Sequence, residues 1–165
     1  MRFIGKSIIS SAVILGACGG GESKPADKPA QQAAPAAAPA AAPAASGTAA
    51  PITGKTVEIK MIGDATGYKF EPANVTINAG DGLKFVVVST GPHNVAFDAT
   101  KLPADVRAQL DANFGTDKMA ELSSGLKMNP GESITISFGG IKPGTYEFNC
   151  TPHLAMNMKG SVTVK

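Results

Sequence analysis

Residues 145–164 read TYEFNCTPHLAMNMKGSVTV. At one end Thr145-Tyr146-Glu147-Phe148 alternates polar and apolar residues, and at the other Ser161-Val162-Thr163-Val164 does the same. A period of two is the mark of a strand with one buried face. Between them lies a short loop carrying Cys150, His153, Met156 and Met158, in a chain of 165 residues that has only two Cys and two His. The stretch reads as two strands that bring a cluster of sulfur and nitrogen donors to one end of a sheet.

Working outward, the same alternation recurs in residues 56–61, 74–77, 83–88, 94–97 and 133–138. Turn residues punctuate it at Ala79-Gly80-Asp81-Gly82, Asn129-Pro130-Gly131 and Lys142-Pro143-Gly144. Seven or eight short strands at this spacing predict an all-β sandwich. One stretch departs from the pattern: between Pro103 and Ser124, ADVRAQLDANF and TDKMAEL read as one or two short helices in a long excursion between strands.

The first 53 residues cannot belong to that core. Arg2 and Lys6 precede the apolar run 8–15, which is too short to span a bilayer and ends in small residues, as an export signal does. The junction Leu15-Gly16-Ala17-Cys18 resembles a bacterial lipobox. That resemblance implies cleavage after residue 17, lipid on Cys18, and a location outside the cytoplasm on a membrane facing the periplasm or cell exterior. Residues 18–53 are rich in Ala and Pro, with prolines at 35, 39 and 43 interrupting any helix, and read as a disordered tether. Its reach is on the order of 90 Å at most. The folded domain is then expected over residues 54–165.

Charge removes one class of function. The chain has 15 basic and 13 acidic side chains, and loss of Arg2 and Lys6 with the signal leaves 13 of each. No basic stripe with interleaved aromatics is present, so nucleic acid is not an expected partner. With Cys18 lipidated, Cys150 stands alone in an oxidising compartment, where a free thiol is a liability unless buried or bound to metal.

Cys150, His153 and Met158 are spaced Cys-x2-His-x4-Met, and His93 lies upstream in Gly91-Pro92-His93-Asn94. A thiolate, two imidazoles and a thioether form the donor set of a blue-copper site. Thiolate bonds copper in both oxidation states, imidazole suits Cu(II) and thioether favours Cu(I). Structural zinc takes thiolate and imidazole but avoids thioether, which points to copper. Met158 immediately precedes the last strand, which fixes its direction, whereas Met156 sits mid-loop.

These residues resemble the plastocyanin/azurin-like blue copper proteins, plastocyanin most closely. The matching blocks are Ala79-Gly80-Asp81, residues 92–98 (PHNVAFD), residues 143–148 (PGTYEF) and residues 150–164, and the similarity runs from about Tyr68 onward. It implies a Greek-key cupredoxin sandwich and one-electron transfer through one copper ion cycling between Cu(I) and Cu(II). His93, Cys150, His153 and Met158 correspond to the metal ligands. Asn94 corresponds to the Asn that ties the two ligand loops together by hydrogen bonding.

The chain also departs from plastocyanin. His93 and Cys150 are separated by 57 positions, a longer gap than is usual, and the helical excursion fills the surplus. Asn149 stands where plastocyanins carry a Tyr beside the Cys, and plant-type acidic patches are missing. Both differences leave His153 as the expected electron port, under an apolar rim of Pro92, Pro152, Leu154 and Met156. A small uncharged rim suits transient docking of a monomer to redox protein donors and acceptors.

A lipid-anchored electron shuttle is therefore the leading expectation. The alternative is a periplasmic copper carrier or buffer, disfavoured because the chain lacks an exposed Met- and His-rich tract. An enzyme is not expected. Multicopper and three-His zinc sites need more than two His, and a Ser-His-Asp arrangement would need one that the motif already uses.

Overall fold

The computed structural model describes residues 47–89 and 91–165. The expected signal peptide, Cys18 and the tether as far as residue 46 lie outside the described residues. Two sheets face each other. The first contains β1 (Thr56–Asp64), β2 (Gly67–Glu71), β4 (Gly82–Val87) and β8 (Ser133–Ser137), in the order β2-β1-β4-β8. The second contains β3 (Asn74–Ile77), β5 (Ala96–Phe97), β6 (Lys118–Ala120), β7 (Ser123–Ser124), β9 (Gly144–Asn149) and β10 (Lys159–Val164), in the order β3-β10-β9-β5-β7-β6. β1 runs parallel to β4 and β3 parallel to β10, while the remaining pairs are antiparallel. This is the expected cupredoxin-like Greek-key β-sandwich.

The alternation read from the sequence decides what faces inward. Ile59 and Met61 from β1, Leu83, Phe85 and Val87 from β4, and Ile134 and Ile136 from β8 meet Tyr146, Phe148, Val162 and Val164 from β9 and β10. At the centre Phe148 meets Phe70 at 4.9 Å and Phe85 at 5.2 Å between ring centroids, both edge-on, the geometry that aromatic quadrupoles favour. Tyr146 and Phe148 on β9 face inward, and the same parity carries the thiol of Cys150, the next residue after the strand, into the interior.

The elements differ from the expectation in two respects. Among the described residues there are ten strands rather than seven or eight, because β2, β6 and β7 are short and lack a clear β-branched run. The first helical segment is confirmed as α1 (Ala104–Asn113), which buries Val106 and Leu110. The second, TDKMAEL, is not a helix: it forms β6 and the turn into β7. Tertiary contacts override helix propensity there. Leu122 is fully buried at a positive φ of 54°, its N–H donates to Asp111 Oδ1 at 2.7 Å, and Lys118 Nζ is paired with Asp111 Oδ2 at 2.7 Å. One carboxylate near the end of α1 thereby holds the start of β6 and the turn into β7.

Ahead of β1 the chain is already hydrogen-bonded to the sandwich. Thr53 N donates to Gly80 O, and Ala50 N donates to Asn113 Oδ1 at 2.8 Å. The buried Asn113 amide also donates to Ser137 O and Gly139 O, which meets its full set of partners. These contacts gather at the Gly82 end of β4, whereas His93 follows the Val87 end, where the metal-ligand candidates collect.

Candidate metal centre

His93 is positioned by its own backbone. Its N–H donates to Lys127 O at 2.9 Å and its carbonyl accepts from Lys127 N at 2.8 Å, an isolated bridge that reaches across from the far limb of the excursion. Downstream, Ser124 N donates to Val95 O, Val95 N donates to Ser124 Oγ, and Phe97 N donates to Leu122 O. The long insertion between the two ligand loops thus returns as a splint along the first of them.

Cys150, His153 and Met158 sit on a loop closed by the main chain. Cys150 N donates to Met158 O at 3.1 Å, and Met158 N donates to His153 O at 3.2 Å. A 3-10 turn over residues 151–156 lies between, and Asn157 adopts a left-handed conformation (φ 62°) that turns the chain into β10. Met158 is fully buried at this closure, while Met156 is 56% exposed, so the two loop methionines occupy opposite environments.

The loops converge on three donor atoms. Cys150 Sγ lies 3.4 Å from His153 Nδ1 and 3.9 Å from His93 Nδ1, and the two imidazoles are 5.0 Å apart between centroids. All three donors lie within 4.8 Å of one another in a buried setting. A metal with bonds of roughly 2.3 Å to sulfur and 2.0 Å to nitrogen at 120° would put sulfur and nitrogen about 3.7 Å apart, and the two observed distances bracket that value.

The chemistry of the pocket also fits a metal. Burial lowers the pKa of His93, helped by the neighbouring His153, and burial likewise lowers that of His153. Both rings are held neutral, with a lone pair to offer. Burial pushes the Cys150 thiol up, opposed by backbone N–H groups of Asn94 and His153, so a metal must displace that proton on binding. His93 Nε2, the ring nitrogen other than the Nδ1 donor, is buried with no hydrogen-bond partner among the described residues.

Asn94 ties the loops together. Its Oδ1 accepts from Thr151 N at 2.7 Å, and its Nδ2 donates to Thr151 Oγ1 and to Ser123 Oγ, with Met119 Sδ a weak third acceptor at 3.6 Å. One buried amide therefore bridges the first ligand loop, the second ligand loop and β7.

The fold and this donor set place the chain among known proteins. A family model described as copper binding proteins of the plastocyanin/azurin family matches residues 57–165. The chain belongs to the plastocyanin/azurin family. It is 39% identical over 118 residues to plastocyanin from Prochlorothrix hollandica, covering 72% of this chain and 79% of that one. It is 35% identical over 105 residues to plastocyanin from Dryopteris crassirhizoma, covering 63% of this chain and 96% of that one. Among solved structures, oxidised plastocyanin from Dryopteris crassirhizoma aligns with a TM-score of 0.50 at 33% identity, over 66% of this chain and all of that one. Family membership carries one copper ion and single-copper electron transfer, and the His-Cys-His group is where this chain provides for it.

Of the expected rim, Leu154, Met156 and Pro152 are exposed and Pro92 is half-buried. The expected port is His153. His153 is only 4% exposed, because Tyr68 lies flat against it with ring centroids 3.6 Å apart and planes 15° apart. Sequence reading did not single out Tyr68. The available signal was parity: Tyr68 and Phe70 lie two apart on β2, and Phe70 is in the core.

Replacing Asn94 by Ala is expected to remove three strong hydrogen bonds and leave the Thr151 N–H unpaired. The cost is about 1–3 kcal/mol, measured by urea unfolding of the metal-free protein. Asn94→Asp, which keeps the acceptor, should recover part of the loss. A fully stable Asn94→Ala variant would contradict the bridging role.

Proposed function

We propose that this chain is an exported, lipid-anchored carrier that passes single electrons between exported or membrane redox proteins. The observation that carries the reading is the convergence of Cys150 Sγ, His93 Nδ1 and His153 Nδ1 in a buried pocket. When bound, copper supplies a one-electron Cu(II)/Cu(I) couple at this site. His93, Cys150 and His153 would hold it through those three atoms, and the buried Met158 would supply a thioether as the fourth donor.

The protein's part is to hold the donors still. Residues fixed by the Lys127 bridge, the Asn94 amide and the Cys150–Met158 closure have little freedom to rearrange when charge changes, which keeps the reorganisation cost of electron transfer low. Exclusion of water by Tyr68 and the interior does the same. We read the chain as a carrier rather than an enzyme, since both of its His belong to this one constellation. Copper delivery would require a site that releases its ion, which a buried site closed on several sides disfavours.

Anchoring rests on Leu15-Gly16-Ala17-Cys18, with the tether leading to residues 47–53 where they join the sandwich. In this reading the domain explores the space next to a membrane and docks transiently as a monomer, with the exposed Leu154 and Met156 beside the site.

After addition of Cu(II), the purified protein is expected to show an intense visible thiolate-to-copper band and narrow copper hyperfine splitting in EPR. Ascorbate should bleach the band and an oxidant restore it with copper retained. A pale complex, or copper lost on reduction, would contradict electron transfer and favour copper handling. Separately, the full chain produced in a bacterial host should fractionate with membranes, and Cys18→Ser should move it to the soluble exported fraction. Membrane association unaffected by that change would refute lipid anchoring.

A further inference from the structure

The residue that faces outward over the metal centre is Tyr68. Its ring is stacked on His153 at 3.6 Å and lies 6.2 Å from the His93 ring, so it covers the imidazole that would otherwise meet solvent. Tyr68 itself remains partly exposed. The placement is built into the fold. Tyr68 is opposite Gly63 in the β1–β2 register, and its ring crosses the Gly63 backbone so closely that a Cβ there would sit 2.6 Å from Tyr68 Cε1 and 2.8 Å from Cδ1. Absence of a side chain at 63 is what lets the ring lie down towards His153. The Gly63 backbone is held in turn, its N–H donating to Ser89 Oγ in the segment leading to the first ligand loop.

We infer that Tyr68, and not the edge of His153, is the surface through which this centre exchanges electrons with a redox partner protein. The inference rests on the electron-carrier reading above. A stacked aromatic ring gives continuous van der Waals contact from the imidazole to the surface, with no intervening water. On oxidation of the carrier one electron leaves the reduced centre through the His153–Tyr68 stack, and a one-electron acceptor protein with an apolar face at its own redox centre gains it. Tyr68 keeps its electrons and its proton throughout and acts as a contact. If the ring were removed, a folded partner would be too large to enter the socket left behind, and water would fill it.

Three variants test this: Tyr68→Phe keeps the ring, Tyr68→Ala removes it, and Gly63→Ala displaces it while leaving Tyr68 in the chain. In the metal-free protein, acylation of His153 by diethyl pyrocarbonate, followed by peptide mapping, reads the seal directly. Tyr68→Phe should match the wild type, while Tyr68→Ala and Gly63→Ala should react roughly tenfold faster. In the copper-loaded protein, electron self-exchange between reduced and oxidised copies, measured by NMR line broadening, should be preserved in Tyr68→Phe. It should fall several-fold in Tyr68→Ala and Gly63→Ala although the visible band persists. Unchanged protection of His153 in Tyr68→Ala, or self-exchange in that variant as fast as in the wild type, overturns the inference. Absence of the visible band in the wild type would instead count against the electron-carrier reading, and the acylation arm would still decide whether Tyr68 seals the site.

Discussion

Two loops 57 residues apart in the chain are joined by the Asn94 amide, whose shortest bond accepts from Thr151 N at 2.7 Å beside a second to Thr151 Oγ1, and the site depends on it. Asn94 is next to His93, and Thr151 is next to Cys150, so the bond fixes the spacing of two donors that share no strand pairing of their own. Because the amide is fully buried, its partners cannot be replaced by water, and each unmade bond would carry a desolvation penalty. The same amide reaches Ser123 on β7, so the excursion is locked to the loops it separates.

Burial governs the chemistry as well as the geometry. In the dry interior the imidazoles stay neutral and the thiol resists ionisation, so these three groups bring no charge that the core would have to tolerate. A soft cation that can take up the thiolate turns three poorly partnered groups into ligands. Core packing extends to the same place: the inward series runs from Tyr146 through Phe148 on β9, in contact with Phe70 and Phe85, to Cys150 just after the strand. The donor is an extension of the hydrophobic core, and its position is as rigid as that core.

Much of this was legible in the chain itself. Period-two alternation exposed β1, β3, β4, β8, β9 and β10, because those strands pair in long ladders with one buried face. The Cys-x2-His-x4-Met spacing and Pro92-His93-Asn94 pointed to donors that the fold does bring together, since a tight loop between adjacent strands leaves few ways to place them. Three features were hidden. TDKMAEL carries good helix formers, and only the burial of Leu122 and the grip of Asp111 explain why it is a hairpin. β2 is a short edge strand containing Gly, Lys and Glu, with weak local preference. Tyr68 over His153 is a contact between residues far apart in sequence that also needs Gly63 to be bare, and no local pattern encodes such a pairing.

A fold that grips its donors this way should hold one set of them in place for copper in both oxidation states. X-ray absorption spectroscopy of the copper-loaded protein, oxidised and then reduced, tests it most directly. One short sulfur and two nitrogen neighbours are expected in each state, with only small changes in distance between them. A donor set that gains or loses a nitrogen or the short sulfur on reduction, or copper surrounded by oxygen, would contradict it.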